Sequence, residues 1–475
     1  MVSTISADLC VIGAGSAGLS VAAGAAQMGA RTVLIEADRM GGDCLNTGCV
    51  PSKSLIAAAK AAATIRHAGR FGVHGGEPRV DFPAVHRHVH DVIAAIAPHD
   101  SVERFTSLGC TVIQARARFI DDRTVEAGDQ RIRARRFVVA TGSRAGVPPI
   151  PGLDGVPFFT NESLFDNTRL PEHLVIIGAG PIGCEMAQAH RRLSAQVSLL
   201  DLGPMLPKDD PELVAVVRNA FLADGIDLAE GVKILRIESR PAGVAVVTAE
   251  GDAERVIEGS QLLIGAGRRP NVEDLGLDVA GVRHGPKGIE VDRRLRTSNR
   301  RIYAAGDVAG GAQFTHLAAY HAGIVLRNAL FRLPAKVDTG ALPWVTYTDP
   351  ELAHVGLTEE QARADYGPAI RVLRSEFAEN DRAQAERATE GLIKVVVSKR
   401  GHVLGATIVG AHAGELILPW VLAIGARLRI GTLAGMIAPY PTLSEISKRV
   451  AGSYYTQTLF GQRTRLLVRL LGWLG

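Results

Sequence analysis

Residues 8–18 read DLCVIGAGSAG, a short apolar strand that runs directly into a glycine-rich turn. An alanine-rich helix is predicted after the turn, and a second apolar strand follows over residues 32–35 and ends in Glu36. Gly13, Gly15 and Gly18 permit a sharp turn and let backbone N–H groups approach a pyrophosphate at the helix N-terminus. The acid accepts hydrogen bonds from ribose hydroxyls. The segment therefore predicts a βαβ unit that binds a dinucleotide.

The same pattern occurs again at residues 174–183, which read LVIIGAGPIG. Its glycines are Gly178, Gly180 and Gly183, and its second strand, over residues 197–200, ends in Asp201. A single GxGxxG string is weak support, because purely structural turns explain many of them. Two complete units, each with strand, turn, helix, strand and acid, are much harder to explain that way. They predict two Rossmann-like domains in one chain.

Length and composition narrow the class of protein. A chain of 475 residues is too long for one ordinary domain, so two to four are expected. The 53 basic and 49 acidic residues give a net charge of +4 without a dense basic block, so nucleic acid is not an expected partner. Five scattered cysteines, no secretory signal and no run of 18 uncharged apolar residues predict a soluble cytoplasmic protein.

Three further strand-like runs end in small residues, as expected where a chain passes from one sheet to another. They are FVVATGS at 137–143, LLIGAGR at 262–268 and IYAAGD at 302–307. Beyond about residue 340, a turn at Pro343 and Trp344 opens a segment of alternating strands and amphipathic helices. This segment has no dinucleotide pattern, and we interpret it as a separate α+β domain.

The most specific string is GGDCLNTGCVPSK at residues 41–53. Cys44 and Cys49 are separated by four residues and can close a small strained disulfide. The positive end of a nearby helix and Lys53 would lower a thiolate pKa, which suits redox exchange. Two buried structural thiols, or half of a metal site, are the alternatives. No second CxxC or histidine cluster supplies further ligands, so no metal site is predicted.

In content and order, these segments resemble the class I pyridine nucleotide-disulfide oxidoreductases, which include dihydrolipoamide dehydrogenase, glutathione reductase and mercuric reductase. The likeness covers almost the whole chain. It implies an α/β, glutathione-reductase-like fold with two Rossmann-like dinucleotide-binding domains and a C-terminal α+β dimerisation domain. The implied domains are FAD-binding at 1–150 and 272–340, NAD-binding at 151–271 and interface at 341–475.

The resemblance also implies roles for individual residues. Cys49 would lie against the flavin as the charge-transfer thiol, and Cys44 would be the outer, interchange thiol facing the substrate. Lys53 would lie near the flavin N5 and pair with Glu185, although a purely structural ion pair is the alternative. The implied FAD contacts are Gly13, Gly15, Gly18, Glu36, Gly42, Thr141, Gly142 and Asp307. The implied contacts of the nicotinamide cofactor are Gly178, Gly180, Gly183, Asp201 and Gly267.

In the second βαβ unit, the acid that ends the second strand bears on the choice between NADH and NADPH. Asp201 there favours NAD, because a carboxylate repels the 2′-phosphate of NADP. NADPH-dependent members of the family usually carry a basic residue at this point, and Lys208 is the nearest cation here. We therefore expect NADH rather than NADPH.

The C-terminal segment departs from the family's disulfide reductases. Those enzymes carry a His-Pro-x-x-x-x-Glu dyad, donated across a dimer interface, whereas residues 439–445 here read PYPTLSE. Glu445 is retained and Tyr440 replaces the histidine. An unperturbed Tyr titrates near ~10 and a His near ~6.5, so Tyr440 is a poor proton shuttle at neutral pH. Dihydrolipoamide or glutathione chemistry is therefore disfavoured.

Mercuric reductases carry tyrosine at that position and so resemble the chain more closely there. They normally also have a cysteine pair close to the C-terminus, yet no cysteine follows Cys184 here, and no N-terminal heavy-metal domain is visible. We predict a homodimeric, mercuric-reductase-like enzyme that passes electrons from NADH through FAD to Cys44 and Cys49 and on to a small-molecule or metal-ion acceptor. The alternatives are a dihydrolipoamide dehydrogenase and an FAD-binding sensor or partner subunit with incidental turnover.

The end of the chain has a pattern of its own. Between residues 463 and 474, leucines, a valine and Trp473 alternate with Arg463, Arg465 and Arg469. One interpretation is a terminal helix that packs on the interface domain. The other is a basic amphipathic helix that touches an anionic membrane surface.

Overall fold

The computed structural model describes residues 3–251 and 253–473. The chain divides into two compact units, Met1–Leu202 with Gly231–Val337, and Gly203–Glu230 with Asp338–Gly475. Both contain sheets and helices, and the predicted α/β fold class is confirmed. The finer division into four segments stays a prediction.

The first unit is built around a seven-stranded sheet whose central strands are parallel. Cys10, in the first strand, aligns with Val33 on one side and Phe137 on the other, and all three are buried. Parallel strands covered on both faces read as continuous apolar runs, which explains the sequence pattern. Its strands, in sheet order, are β3 (Cys110–Gln114), β2 (Thr32–Glu36), β1 (Ser3–Ile12), β6 (Gln130–Val139), β5 (Thr124–Ala127) and β4 (Ala117–Phe119), with β18 (Ile302–Ala304) also beside β6.

A second parallel sheet carries the second glycine-rich turn. Ile176 in its middle strand aligns with Leu199 on one side and Leu263 on the other. Its strands are β9 (Gln196–Leu200), β8 (His173–Ile177) and β14 (Gln261–Ile264). Three smaller antiparallel ladders complete the strands of this unit, namely β11 (Ile234–Arg240), β12 (Gly243–Glu250) and β13 (Ala253–Gly259); β7 (Ser143–Ala145) and β15 (Arg268–Pro270); and β16 (His284–Gly285) and β17 (Gly288–Ile289).

Helices cover the two parallel sheets. Ala22 and Val325, from the first and last helices of the unit, pack in one core cluster with Leu9 and Leu34 of the large sheet. The helices of this unit are α1 (Ser16–Gln27), α2 (Gly42–Asn46), α3 (Cys49–His67), α4 (Phe82–Ile96), α5 (Val102–Ser107), α6 (Asn161–Leu164), α7 (Pro181–Arg192) and α9 (Thr315–Ala329), with short 3₁₀ turns at 68–71, 97–100, 153–155 and 307–309.

The second unit is a five-stranded antiparallel sheet with helices around it. Pro343 and Trp344, predicted as a turn, instead begin its first strand. The strands, in sheet order, are β19 (Pro343–Thr346), β20 (Glu351–Gly356), β23 (Val403–Gly410), β22 (Leu392–Val397) and β21 (Arg371–Glu376), and β10 (Asp227–Ala229) also belongs to this unit. The helices are α8 (Pro211–Asp224), α10 (Glu359–Tyr366), α11 (Asp381–Glu386), α12 (Ala413–Leu416), α13 (Leu418–Gly425), α14 (Ile430–Ala434), α15 (Glu445–Leu459) and α16 (Gln462–Leu471), with 3₁₀ turns at 367–369 and 377–379.

A buried ion cluster ties the two segments of the second unit together. The Lys394 Nζ lies 2.7 Å from an Asp210 oxygen, 2.9 Å from Glu212 and 2.8 Å from Glu359, while only 6% of the lysine side chain is exposed. A buried ammonium is tolerated only with such partners. Within the described residues, none of the helices has the length and apolar character needed to cross a bilayer.

Candidate active site

The two glycine-rich turns have the same local geometry. In the first, the Ala14 N–H donates a hydrogen bond of 2.5 Å to Oε2 of Glu36. In the second, the Ala179 N–H donates one of 2.6 Å to Oδ2 of Asp201. Each acid, at the end of the second strand, therefore lies against the turn that opens the preceding helix.

The first and third glycines of each turn are required by close packing. Gly13 has φ +103°, and a Cβ there would collide with the carbonyl of Ala140. A Cβ on Gly18 would collide with the carbonyl of Gly13, where helix α1 passes over the turn. Gly178 and Gly183 repeat both arrangements in the second glycine-rich turn. These four positions therefore fix the backbone path.

Of the remaining predicted glycines, Gly42 packs against the first turn, since a Cβ there would lie 2.7 Å from the Cα of Gly15, and the others border open space. Apart from the glycine itself and its neighbours along the chain, no described protein atom lies within 4 Å of the place that a Cβ would take on Gly180, Gly142 or Gly267. For Gly15 the nearest atom is the Cα of Gly42, at 3.9 Å. Helices α1 and α7 begin directly after these turns without a side-chain cap and without an acid in the first turn. Uncapped N–H groups facing open space fit the pyrophosphates of FAD and a nicotinamide dinucleotide.

The two cysteines lie beside the first turn. Cys44 is in the short helix α2, and Cys49 is the first residue of the nineteen-residue helix α3. Both cysteines are free thiols in this structure. The Thr315 hydroxyl lies 3.5 Å from the Cys49 sulfur, and Thr315 is the first residue of helix α9. Cys49 therefore lies at the positive ends of two helices.

This environment separates the pKa values of the two thiols. The pKa of Cys49 falls to about 6, because the Cys44 thiol donates a hydrogen bond to its sulfur, the Thr315 hydroxyl donates another, and the Lys53 charge is near. The pKa of Cys44 rises, because its proton is held by Cys49 and burial disfavours its thiolate. At neutral pH the pair therefore holds one thiolate, on Cys49, and one thiol, on Cys44.

We expect Thr315→Val to raise the pKa of Cys49 by roughly one unit, because a hydrogen bond to a charged group contributes about 1.5 kcal/mol or more. The pH dependence of Cys49 alkylation by iodoacetamide, followed by mass spectrometry on the reduced protein, measures this midpoint. Thr315→Ser keeps the hydroxyl and is the matched control. Equal midpoints in the wild type and the valine variant would show that Thr315 does not stabilise the thiolate.

Lys53 and Glu185 are brought together from different segments of the first unit. The Lys53 Nζ lies 2.8 Å from Oε2 of Glu185, and only 5% of the Glu185 side chain is exposed. Lys53 follows Cys49 by one helical turn on α3, so the two side chains share a face. The lysine therefore neutralises a buried carboxylate and lowers the pKa of Cys49. Its predicted position near the flavin N5 stays a prediction.

Lys53→Met is expected to destabilise the protein by about 1–3 kcal/mol, because the buried carboxylate of Glu185 loses an ion pair. The same change should raise the pKa of Cys49, since a nearby positive charge is removed. Urea unfolding and the alkylation midpoint measure the two effects, and Lys53→Arg, which keeps the charge, is the control. Unchanged stability in the methionine variant would contradict the structural part of this assignment.

A polar network that the sequence did not predict holds the cysteine loop. The carboxylate of Asp43, directly before Cys44, accepts hydrogen bonds from the Thr47 hydroxyl at 3.0 Å and the Asn161 amide at 2.9 Å. Arg268 lies 3.1 Å from the same carboxylate. Asn161 and Arg268 come from distant parts of the chain, and no spacing in the sequence connects them with Asp43.

The two predicted motifs at 141–142 and 307 also come together. The Ser143 hydroxyl donates a hydrogen bond of 2.6 Å to the Asp307 carboxylate, and Nε of Arg268 lies 3.8 Å from the same carboxylate. Burial raises the pKa of Asp307, and these two partners oppose the rise. The Thr141 hydroxyl donates to the carbonyl of Asn271 at 2.7 Å. The contacts of Thr141, Gly142 and Asp307 with FAD stay predictions.

In the second unit, the partners of Tyr440 and Glu445 differ from those of a His–Glu dyad. The Tyr440 hydroxyl donates a hydrogen bond of 3.0 Å to Asp381, and this carboxylate raises the pKa of the tyrosine. Oε2 of Glu445 instead accepts from the Thr442 N–H at 3.3 Å. Tyr440 is 71% exposed. The catalytic roles of Tyr440 and Glu445 therefore remain predictions, and Asp381 is a partner that the motif did not indicate.

Comparison with known proteins gives two consecutive family matches. Residues 7–322 match the pyridine nucleotide-disulphide oxidoreductase family. Residues 342–451 match the dimerisation domain of the same family.

Individual relatives match over nearly the whole chain. A mercuric reductase of Bacillus cereus is 36% identical over 92% of this chain and 70% of its own length. A dihydrolipoyl dehydrogenase of Thermus scotoductus is 34% identical over 95% and 98% of the two chains. Two similar solved structures each cover 94% of this chain and 99% of their own. One is a Cu(II) complex of the HOCl-induced flavoprotein disulfide reductase RclA from Escherichia coli, with 28% identity and a TM-score of 0.84. The other is LpdA from Mycobacterium tuberculosis, with 29% identity and a TM-score of 0.86.

Proposed function

Because the chain belongs to the pyridine nucleotide-disulphide oxidoreductase family, whose members use FAD and NAD(P)H, we propose that it passes electrons from NADH through FAD to Cys44 and Cys49 and then to an acceptor. The observation that carries this proposal is the thiolate–thiol pair beside the first glycine-rich turn, with the pKa of Cys49 lowered to about 6. FAD, when bound, supplies a two-electron relay between the nicotinamide and the cysteine pair.

On the acceptor side, the two sulfurs perform the chemistry. With a disulfide acceptor, Cys44 gives up its proton as its sulfur attacks one acceptor sulfur, the acceptor S–S bond breaks, and the other sulfur leaves as a thiolate that takes up a proton. Cys49 then attacks the Cys44 sulfur, which closes the Cys44–Cys49 disulfide and releases the second thiolate. The acceptor gains two electrons and two protons in total. The leaving sulfurs therefore need a proton donor near the pair.

A soft metal ion as the acceptor does not require this proton donor. Both sulfurs can bind such an ion directly as thiolates, so no proton has to be delivered to a leaving sulfur. Tyrosine at position 440, in place of a histidine relay, is compatible with this acceptor class. The mercuric reductase relatives and the Cu(II) complex of RclA support a metal ion, whereas the dihydrolipoyl dehydrogenase relatives support the alternative of a dithiol substrate.

A panel of acceptors tests the proposal. NADH oxidation by the holoenzyme is measured without oxygen against Hg(II), Cu(II), lipoamide, glutathione disulfide and quinones. Turnover with a metal ion that is lost in Cys44→Ser supports the proposal, and fast lipoamide turnover supports a dihydrolipoamide dehydrogenase. No turnover with any acceptor would favour an FAD-binding sensor or partner subunit. The dimerisation domain supports a homodimer, which light scattering of the same samples measures.

NADH is expected to exceed NADPH in kcat/KM by about 10- to 100-fold, because the Asp201 carboxylate would face a 2′-phosphate of like charge. Asp201→Arg should narrow or reverse this preference. Asp201→Asn removes only the charge and keeps an oxygen that can accept from the Ala179 N–H, so it separates repulsion from loss of the local hydrogen bond. A wild-type preference for NADPH would contradict the assignment.

A further inference from the structure

The end of the chain exposes an unusual amount of apolar surface. We define the C-terminal apolar face as the exposed apolar side chains of residues 459–473, each 54–89% exposed: Leu459, Phe460, Leu466, Leu467, Val468, Leu470, Leu471 and Trp473. Helix α16 buries none of its residues within the chain. The interpretation as a terminal helix packed on its own domain is therefore not supported by the described residues. Apolar surface of this kind on one element usually marks a binding surface.

The arrangement around the helix axis is amphipathic. At about 100° per residue, Leu466 and Leu470 follow one line along the helix, and Leu467 and Leu471 lie beside them, while Trp473 comes just after the last helical residue. Arg465 and Arg469 lie one turn apart on the opposite side. Arg463, in the first turn, projects from the same side as the leucines, and its long aliphatic stem can direct the charge toward water.

Charge distinguishes among the partners that could cover this face. No Asp or Glu follows Glu445 in the sequence, whereas Lys448, Arg449 and the three arginines of α16 do. A second copy of the helix would bring like charges together. An anionic surface is complementary to all of them. The matched dimerisation domain also ends at residue 451, before this helix begins.

The length of the helix fixes its orientation toward a bilayer. Ten residues span about 15 Å, roughly half of the hydrocarbon core of a membrane, so α16 cannot cross it. A short helix with an apolar stripe, arginines opposite and a tryptophan at its end is typical of one that lies in the interface. We propose that helix α16 docks this enzyme on the surface of bilayers that contain anionic phospholipid.

Flotation of the full-length holoenzyme with vesicles tests this proposal. Binding is expected to vesicles of phosphatidylcholine with phosphatidylglycerol, to decrease as salt is raised, and to be weak with phosphatidylcholine alone. Leu466→Glu with Leu470→Glu should abolish it. Arg465→Gln with Arg469→Gln should weaken it roughly 30-fold, because each basic residue near an anionic surface contributes about a fivefold factor. Arg300→Gln with Arg301→Gln removes two exposed charges elsewhere and should bind like the wild type.

Retention of the FAD absorbance in every variant shows that the fold is intact, and the arginine pair gives a second test if the glutamate variant does not fold. Failure of the wild type to float with anionic vesicles at low salt would overturn the proposal. Equal binding by the wild type and the arginine variant would overturn it as well. Dissociation of a dimer in the leucine variant, without vesicle binding by the wild type, would instead assign the face to a contact between subunits.

Discussion

Serine in place of Cys49 is expected to stop reduction of every acceptor, by roughly 10³-fold or more, and to abolish the long-wavelength charge-transfer absorbance that anaerobic NADH produces. A serine hydroxyl stays protonated at neutral pH and cannot form a disulfide, so both the thiolate and the electron-carrying bond are lost. FAD is expected to stay bound, because the predicted contacts on the glycine-rich turn, Glu36 and Asp307 are unchanged. Anaerobic titration with NADH, monitored by absorbance, measures each of these outcomes.

Cys44→Ser is the matched control. A serine hydroxyl at position 44 can still donate a hydrogen bond to the Cys49 sulfur, which is the largest cause of the low pKa of Cys49. This variant cannot form the disulfide, so its Cys49 thiolate should give the absorbance with oxidised FAD before any NADH is added, although acceptor turnover is lost. Cys10→Ser changes a buried cysteine of the central strand and should affect neither. Survival of the absorbance in Cys49→Ser would show that the thiolate belongs to another residue.

The parts of the site that could be predicted are those encoded within short stretches of sequence. Gly13, Gly18 and Glu36 belong to one strand–turn–helix–strand segment. The apolar runs of that segment and the spacing of the glycines and the acid suffice to place them in one βαβ unit. Cys44 and Cys49 are close in sequence for the same reason. The family resemblance extended the prediction to Glu185, which local pattern alone would not connect with Lys53.

The rest depends on tertiary contacts between segments that have no shared pattern. Thr315 is the first residue of a helix, and only the packing of the first unit brings its hydroxyl to Cys49. Arg268 and Asn161 meet at Asp43 for the same reason. Such contacts cannot be derived from spacing, because any of many polar residues could have occupied the same place.

The C-terminal motif shows a different limit. Spacing aligned residues 440 and 445 with the His–Glu pair of the family, but it could not identify their hydrogen-bond partners. A tyrosine hydroxyl lies farther from the backbone than the nitrogens of an imidazole ring, and here it reaches Asp381 at the start of helix α11. Glu445, at the start of α15, accepts instead from a backbone N–H within its own turn. In this chain, Tyr440 and Glu445 therefore have separate hydrogen-bond partners.

Tyr440→His is expected to raise turnover with lipoamide or glutathione disulfide, because an imidazole that titrates near ~6.5 can deliver and accept protons at neutral pH. General acid–base help of this kind is typically worth about 10²–10⁴-fold. The gain should be partial, since Glu445 is bonded to Thr442 and the surroundings were not built to orient a histidine. Steady-state kcat with each disulfide measures the gain.

Tyr440→Phe separates proton transfer from a mere change in shape, because it keeps the ring and removes the hydroxyl. It should leave disulfide turnover as feeble as in the wild type. The NADH-dependent reduction of the Cys44–Cys49 pair, measured in a single turnover, should be the same in all three proteins, since this half of the reaction needs no proton donor at position 440. Robust lipoamide reduction by the wild type, unimproved by the histidine, would show that proton delivery does not depend on residue 440 and that the chain is an ordinary dihydrolipoamide dehydrogenase.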